Sequence, residues 1–235
     1  MPANRIKLEP ALERRYARQI QRRQPRQIVF KILIVCEGTK TEPNYFEAFK
    51  KYNHGTNVYD IDVRGLGANT TSVVDAAISL KEKDEYDRVW AVFDKDSFPA
   101  GKFNGAIVKA EQNGICCAWS NEAFELWYLY HFVNRTTGMS RTEYGKAISN
   151  AVCNSPKFKA KTKYIYAKND VRNFEIMTKY GSMDNAIKFA EAQSLEYTDK
   201  RYATHNPCTM VFNLVRQLIG KDEMLNDELK KKIEG

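Results

Sequence analysis

KILIVCEGTKTEP, residues 31–43, is the stretch that decides the fold. Its first six residues form a short apolar, β-branched run of the kind found in a strand buried on both faces. The run ends at Glu37-Gly38, and a polar loop leads to Pro43, suited to the first turn of a helix over about 43–52. Tyr45, Phe46 and Phe49 supply that helix with an apolar stripe. A buried strand, a loop carrying an acid and a glycine, and then an amphipathic helix form the opening half of a strand–helix–strand unit.

The same alternation continues outward. Val58–Val63 alternates as a second strand, and the Gly65-Leu66-Gly67 turn precedes Asn69, Thr70 or Thr71 as cap of a helix over about 71–83. Arg88–Phe93 is a third strand and Gly105–Gly114, with its approaches, a third helix. Ile115–Trp119 is a fourth strand, after which Ser120 or Asn121 can cap a helix over about 122–133. Successive units of this kind predict an α/β fold, with a parallel sheet of about four strands flanked by helices. Three further helices are expected near 183–196, 206–219 and 222–233, the second with Asn206-Pro207 as N-cap and first residue. The expected organisation is a basic arm (1–30), a core (31–133) and a mainly helical C-terminal extension (134–235) packed on that core, since no Pro/Gly/Ser linker divides them.

The charge is uneven. Residues 1–31 hold nine Lys or Arg against Glu9 and Glu13, a net of +7, and the other 204 residues carry +1. Arg14, Arg15, Arg18, Arg22 and Arg23 lie in this arm, and arginine forks suit phosphate backbones; a solubilising leader is the alternative. Lys157, Lys159, Lys161 and Lys163 alternate strictly, and Lys168 follows them. On a strand the alternating lysines would line one face, either along a phosphate backbone or as protection of an exposed edge. Five cysteines without a CxxC pair point to reduced thiols and a cytoplasmic setting. No membrane span or secretory leader is expected. Cys36 has no histidine near it to activate it as a nucleophile.

Ligands of open parallel sheets gather beyond the carboxyl ends of the strands. Two strands end there in acids, Glu37 on one and Asp94-Lys95-Asp96 on the other. In an extended segment Asp94 and Asp96 point the same way and can hold one ion together. Magnesium takes one or two carboxylates with water and substrate phosphate, and Glu37 can bind a second ion or act as general acid/base. Acids after strands also begin turns or cap helices, but three on one rim exceed what turns require. Glu42, in the first turn of its helix, suits the helix dipole. Lys40 either neutralises phosphate or stays solvated. His131 and His205 lack metal-ligand spacing.

Three motifs, ILIVCEGTKTEPNYFEAF (32–49), VFDKDSF (92–98) and SNEAFELWYLYHF (120–132), together resemble the RloB-like proteins, from about residue 30 to NPCTMVFNLVRQL (206–218). That family is linked to phage defence and related to the Toprim fold of topoisomerases, primases and OLD-type nucleases. The resemblance implies a Toprim-like (Rossmann-like) sheet in which Glu37 matches the Toprim glutamate, and Asp94 and Asp96 the metal-binding aspartates. Family members often read Ser-Asn-Pro where this chain has Ser120-Asn121-Glu122, which argues against a functional Glu122. Glu125 matches a glutamate usual in that motif and either completes a second metal site or pairs with an arginine as a structural charge.

On this reading the chain is a nuclease using one or two Mg²⁺ (or Mn²⁺) ions on DNA or RNA, possible tRNA cleavage included. The resemblance further implies an abortive-infection effector with an ATPase partner. The competing reading is a non-catalytic module that binds nucleic acid or the ATPase. A small-molecule phosphotransferase is disfavoured by the absence of GxxxxGK[ST] and GxGxxG.

Overall fold

The computed structural model describes residues 30–52, 59–67 and 69–234. Arg14, Arg15, Arg18, Arg22 and Arg23 fall outside them. Strands β1 (Phe30–Cys36), β2 (Tyr59–Gly65), β3 (Arg88–Asp94) and β4 (Cys116–Asn121) are joined by helices α1 (Thr41–Tyr52), α2 (Thr70–Lys83) and α3 (Ala100–Gln112). The sheet order is β2-β1-β3-β4-β5, parallel through β4. A fifth strand, β5 (Cys208–Thr209), pairs antiparallel with β4 and extends the four-strand expectation. The chain runs from β1 outward to β2 and then returns to the other side of β1 as β3. The switch point therefore lies between β1 and β3.

Alternation along β1 sends its residues to two cores. Ile32, Ile34 and Cys36 pack with Tyr45, Phe46 and Phe49 of α1. Leu33 and Val35 pack with Val73, Val74 and Ala77 of α2 and Phe103 of α3. With apolar layers on both sides, β1 can be apolar throughout. Asn69 caps α2 by accepting the Ser72 N–H at 3.1 Å.

The chain continues as α4 (Glu125–Tyr130), a 3₁₀ turn (Arg141–Glu143), α5 (Tyr144–Cys153), α6 (Asn173–Tyr180), α7 (Met183–Leu195), a second 3₁₀ turn (Tyr202–Thr204), α8 (Val211–Leu218) and α9 (Glu223–Glu234). Residues from α4 to α9 join the core on the α1 face, including Trp127, Ile148, Phe174, Leu214 and Leu229.

Three expectations are corrected. The helix expected over 122–133 is only the six residues of α4, because its proposed caps belong to β4. Ser120 bonds Thr209 of β5 through their hydroxyls at 2.9 Å, and the Asn121 amide donates to the Ala203 carbonyl. Asn206-Pro207 does not start a helix; it leads into β5, and α8 begins at Val211. The lysine ladder is not on a strand. The backbone N–H of Tyr164 goes to Cys153 Sγ and that of Tyr166 to Ser149 Oγ, so α5 side chains take the place of a neighbouring strand. No described helix is long and apolar enough to cross a membrane.

Candidate active site

The strand ends at the switch point open into a cleft of about 280 Å³. Glu37, Glu42, Asp94 and Asp96 line it, with Lys40, Arg141 and Lys168 as the cations and the Gly38–Thr41 loop as its floor. Three of the predicted acids and Lys40 are thus brought together.

Glu37 follows β1 directly. Its Oε2 accepts the backbone N–H of Asp94 at 3.0 Å, and its Oε1 accepts the Thr70 hydroxyl at 3.4 Å. One carboxylate therefore links the ends of β1 and β3 to the start of α2. Burial raises the Glu37 pKa, opposed by those two donors and by the charges of Arg141 and Lys168.

Asp94 closes β3 and is 7% exposed. Burial first, and then the negative charges of Glu42 and Glu125, hold its pKa well above the usual carboxylate range. The Phe124 backbone N–H and Lys168 oppose this. Glu42, 6% exposed, is likewise raised by burial and by Glu125 and Glu37, against its own backbone N–H and Lys168. Its place in the first turn of α1 suits the dipole, as expected, yet its carboxylate also faces the cleft. A Cβ on Gly38 would collide with that carboxylate, so the glycine gives Glu42 its room.

Asp96 behaves differently. The chain leaves the extended conformation after Asp94, and Asp96 has φ 39°. The two aspartates therefore do not share a strand face, and the expected i, i+2 pairing on one ion does not follow from the backbone. The Asp96 carboxylate is ion-paired with Arg141. Its backbone N–H donates to the Glu122 carbonyl at 3.1 Å, while the Glu122 carboxylate accepts the Arg141 N–H at 3.0 Å. Glu122 thus has a structural task, holding both partners.

Glu125 starts α4 and is 5% exposed. Its Oε1 accepts the Tyr166 hydroxyl at 3.1 Å and lies 3.5 Å from Lys168 Nζ, so its cationic partner is a lysine and not an arginine. Its Oε2 is buried with no hydrogen-bond partner. Lys168 is fixed from behind, its carbonyl accepting from Thr41 Oγ1 and from Asn173 Nδ2.

Among the described residues, no group of three or more His, Cys, Asp or Glu side chains is already gathered into a ligand cage. The donors nevertheless suit a hard cation. They are all oxygens, Asp94, Glu42 and Glu125 repel one another in a buried setting, and Glu125 Oε2 is an orphaned acceptor. Magnesium needs only one or two carboxylates besides water and phosphate.

Lys157, Lys159, Lys161 and Lys163 are exposed on the irregular segment leading to Lys168, and Lys157 Nζ bonds the Gly181 carbonyl at 2.7 Å. Burial, and then Glu42, holds the Cys36 thiol well above its usual pKa, a setting that disfavours the thiolate a nucleophile needs. His131 is buried, and His205 stacks on Tyr197 with Asp199 at 3.0 Å. Arg141 and Thr70 carried no sequence signal for the site. Lys168 was visible only as the end of a lysine-rich run, and Glu42 only as a helix-start acid.

No curated protein and no solved structure matches the chain. A family model described as RloB-like protein matches residues 32–218, spanning β1 to the end of α8 and every cleft residue named above. The chain belongs to the RloB-like family.

Proposed function

We propose that the chain is a metal-dependent nuclease with a Toprim-type sheet, cleaving phosphodiester bonds in DNA or RNA, tRNA included. The observation that carries this reading is the switch-point cleft, where Glu37 and Asp94 are hydrogen-bonded to each other opposite Arg141 and Lys168. Asp94 and Glu37, with Glu42 and Glu125 beside them and Asp96 on the rim, would hold Mg²⁺ or Mn²⁺, one ion or two. Such an ion supplies charge neutralisation at the scissile phosphate and makes water more acidic.

The remaining work falls to side chains. Arg141, Lys168 and Lys40 attract the phosphodiester and fix its orientation in the cleft. Glu37, raised in pKa and held by two donors, is suited to take a proton from the attacking water. The N-terminal arginines and Lys159, Lys161 and Lys163 supply charge for the rest of a polymer. Family membership supports placing this activity in abortive-infection phage defence in the cytoplasm, with an ATPase partner as sensor.

A second reading, a non-catalytic module binding nucleic acid or the ATPase, draws on the engagement of Asp96 by Arg141. Incubating the protein, with and without the ATPase, with plasmid, single-stranded DNA and total tRNA in Mg²⁺ or Mn²⁺ separates the two. Cleavage that is lost in folded Glu37→Ala and Asp94→Ala supports the nuclease. No cleavage under any condition, or undiminished cleavage by both variants, supports the binding module.

A further inference from the structure

Arg141 is the cleft cation whose position the sequence gives no reason to expect, and its surroundings are built in an unusual way. The 3₁₀ turn that carries it is fixed at three places. Ser140 and Glu143 form a capping box around that turn, and the Glu122 carboxylate accepts the Arg141 N–H. The carbonyl of the same Glu122 holds the N–H of Asp96. Donor and acceptor are thus anchored to one residue, while the ion pair between their side chains stands in the open. The Arg141 side chain is 37% exposed and that of Asp96 45%.

A pair this exposed is weak, because water competes for both charges. Lys168 makes the useful contrast, since its partner Glu125 is only 6% exposed at the side chain and also takes the Tyr166 hydroxyl. Of these two ion-paired cations, Arg141 is the one that can change partners at little cost. A guanidinium matches a phosphodiester better than it matches a single carboxylate oxygen, because its fork can contact two phosphate oxygens at once.

We infer that Arg141 is an exchangeable gate on Asp96: without substrate it neutralises this carboxylate, and on binding a phosphodiester it turns to the phosphate and frees Asp96 for a divalent cation. Backbone anchoring by Glu122 and the capping box lets the exchange occur by side-chain rotation alone. Cation binding and polynucleotide binding are then coupled through one residue. This inference rests on the reading of the cleft as a cation and phosphodiester site.

The test reads binding and not cleavage. Mn²⁺ uptake is followed by electron paramagnetic resonance in wild type, Arg141→Gln, Asp96→Asn and the double variant, with circular dichroism and thermal melting to confirm folding. Binding of phosphorothioate DNA and RNA oligonucleotides is followed by fluorescence anisotropy in Ca²⁺. In Arg141→Gln, Mn²⁺ binds about two- to fivefold tighter, the scale of an exposed ion pair, and the oligonucleotide binds more weakly. In the Asp96→Asn background the Arg141 substitution no longer tightens Mn²⁺. In wild type, adding oligonucleotide tightens Mn²⁺ binding, and this coupling disappears in Arg141→Gln.

If Mn²⁺ binds wild type and folded Arg141→Gln equally, or if tightening persists without Asp96, the gate is overturned while the nuclease reading stands. If wild type takes up no Mn²⁺, both fall.

Discussion

Glu37 and Asp94 are joined by a hydrogen bond from the Asp94 backbone N–H to the Glu37 carboxylate at 3.0 Å. It spans the gap between two parallel strands where the sheet reverses its order, and so fixes the distance between the two strand ends. A residue in this position has a structural role and a chemical one, and substitution can separate them.

Glu37→Gln retains an oxygen able to accept the Asp94 N–H but removes the charge. The proposed nuclease then loses roughly 10²-fold or more of its rate, the usual scale for a positioned acid or base, while the thermal midpoint stays near that of wild type. Glu37→Ala loses activity and also stability, by about 1 kcal/mol for the hydrogen bonds removed. Cleavage rates and thermal melts of both variants check this. Equal melting of Gln and Ala variants would show that the strand-linking bond contributes little.

Asp94 carries the opposite expectation for stability. Its carboxylate is buried and faces the charges of Glu42 and Glu125, and its pKa in the fold is raised above the ordinary value. Stability is therefore fullest below the ordinary carboxylate range and declines as pH rises toward the raised value, since the folded state resists giving up the proton. Asp94→Asn removes that decline. It should stabilise the protein without added divalent ion by about 0.5–2 kcal/mol at neutral pH, with a smaller gain at acidic pH, while abolishing cleavage. Denaturant unfolding at several pH values reads the sign directly, and a destabilised Asp94→Asn would contradict the electrostatic account.

What the sequence disclosed and what it hid follow one division. The apolar run 32–36 and the acids after β1 and β3 are local signals, and the sheet aligned those strand ends as parallel topology requires. Arg141 and Lys168 reach the cleft from the C-terminal part through contacts with Glu122 and with Thr41 and Asn173, which no periodicity announces. The lysine alternation at 157–163 does not correspond to an inward and an outward face: Ala160 and Thr162 are exposed like the lysines, and at the following Tyr164 and Tyr166 thiol and hydroxyl groups of α5 accept the backbone N–H. Ser120 and Asn121 mislead for a related reason, because distant groups take the side chains that look like helix caps, Thr209 of β5 bonding Ser120 and the Ala203 carbonyl accepting from Asn121.

His131 gives a pH prediction away from the cleft. Its Nδ1 lies 2.9 Å from the Trp127 carbonyl, which can only accept, so Nδ1 carries the proton of a neutral ring. Burial lowers its pKa to about 4 from an ordinary 6.5. The unfolded chain takes up this proton first. The contribution to stability is therefore complete above about pH 6.5 and is lost as pH falls to about 4, amounting to roughly 3 kcal/mol. His131→Asn, which keeps a donor near Nδ1 and does not titrate, should flatten the stability profile across that window. An unchanged acid limb in equilibrium unfolding would assign the loss to other groups.

Gly65 and Gly38 test how the loop beneath the cleft is held. A Cβ on Gly65 would stand 2.6 Å from the Gly38 carbonyl oxygen and 2.7 Å from Pro43 Cγ, so backbone and a rigid ring would have to move. On Gly38 the obstacle is instead the end of the Glu42 side chain, which can swing aside at the expense of its place in the cleft. Gly65→Ala should therefore destabilise by about 1–3 kcal/mol, the scale of overpacking, and displace the whole loop. Gly38→Ala should cost less stability yet impair Mn²⁺ binding and cleavage, because Glu42 leaves the cleft. Paired melting and Mn²⁺-binding measurements distinguish the two, and a Gly38→Ala protein with wild-type Mn²⁺ affinity would remove Glu42 from the proposed site.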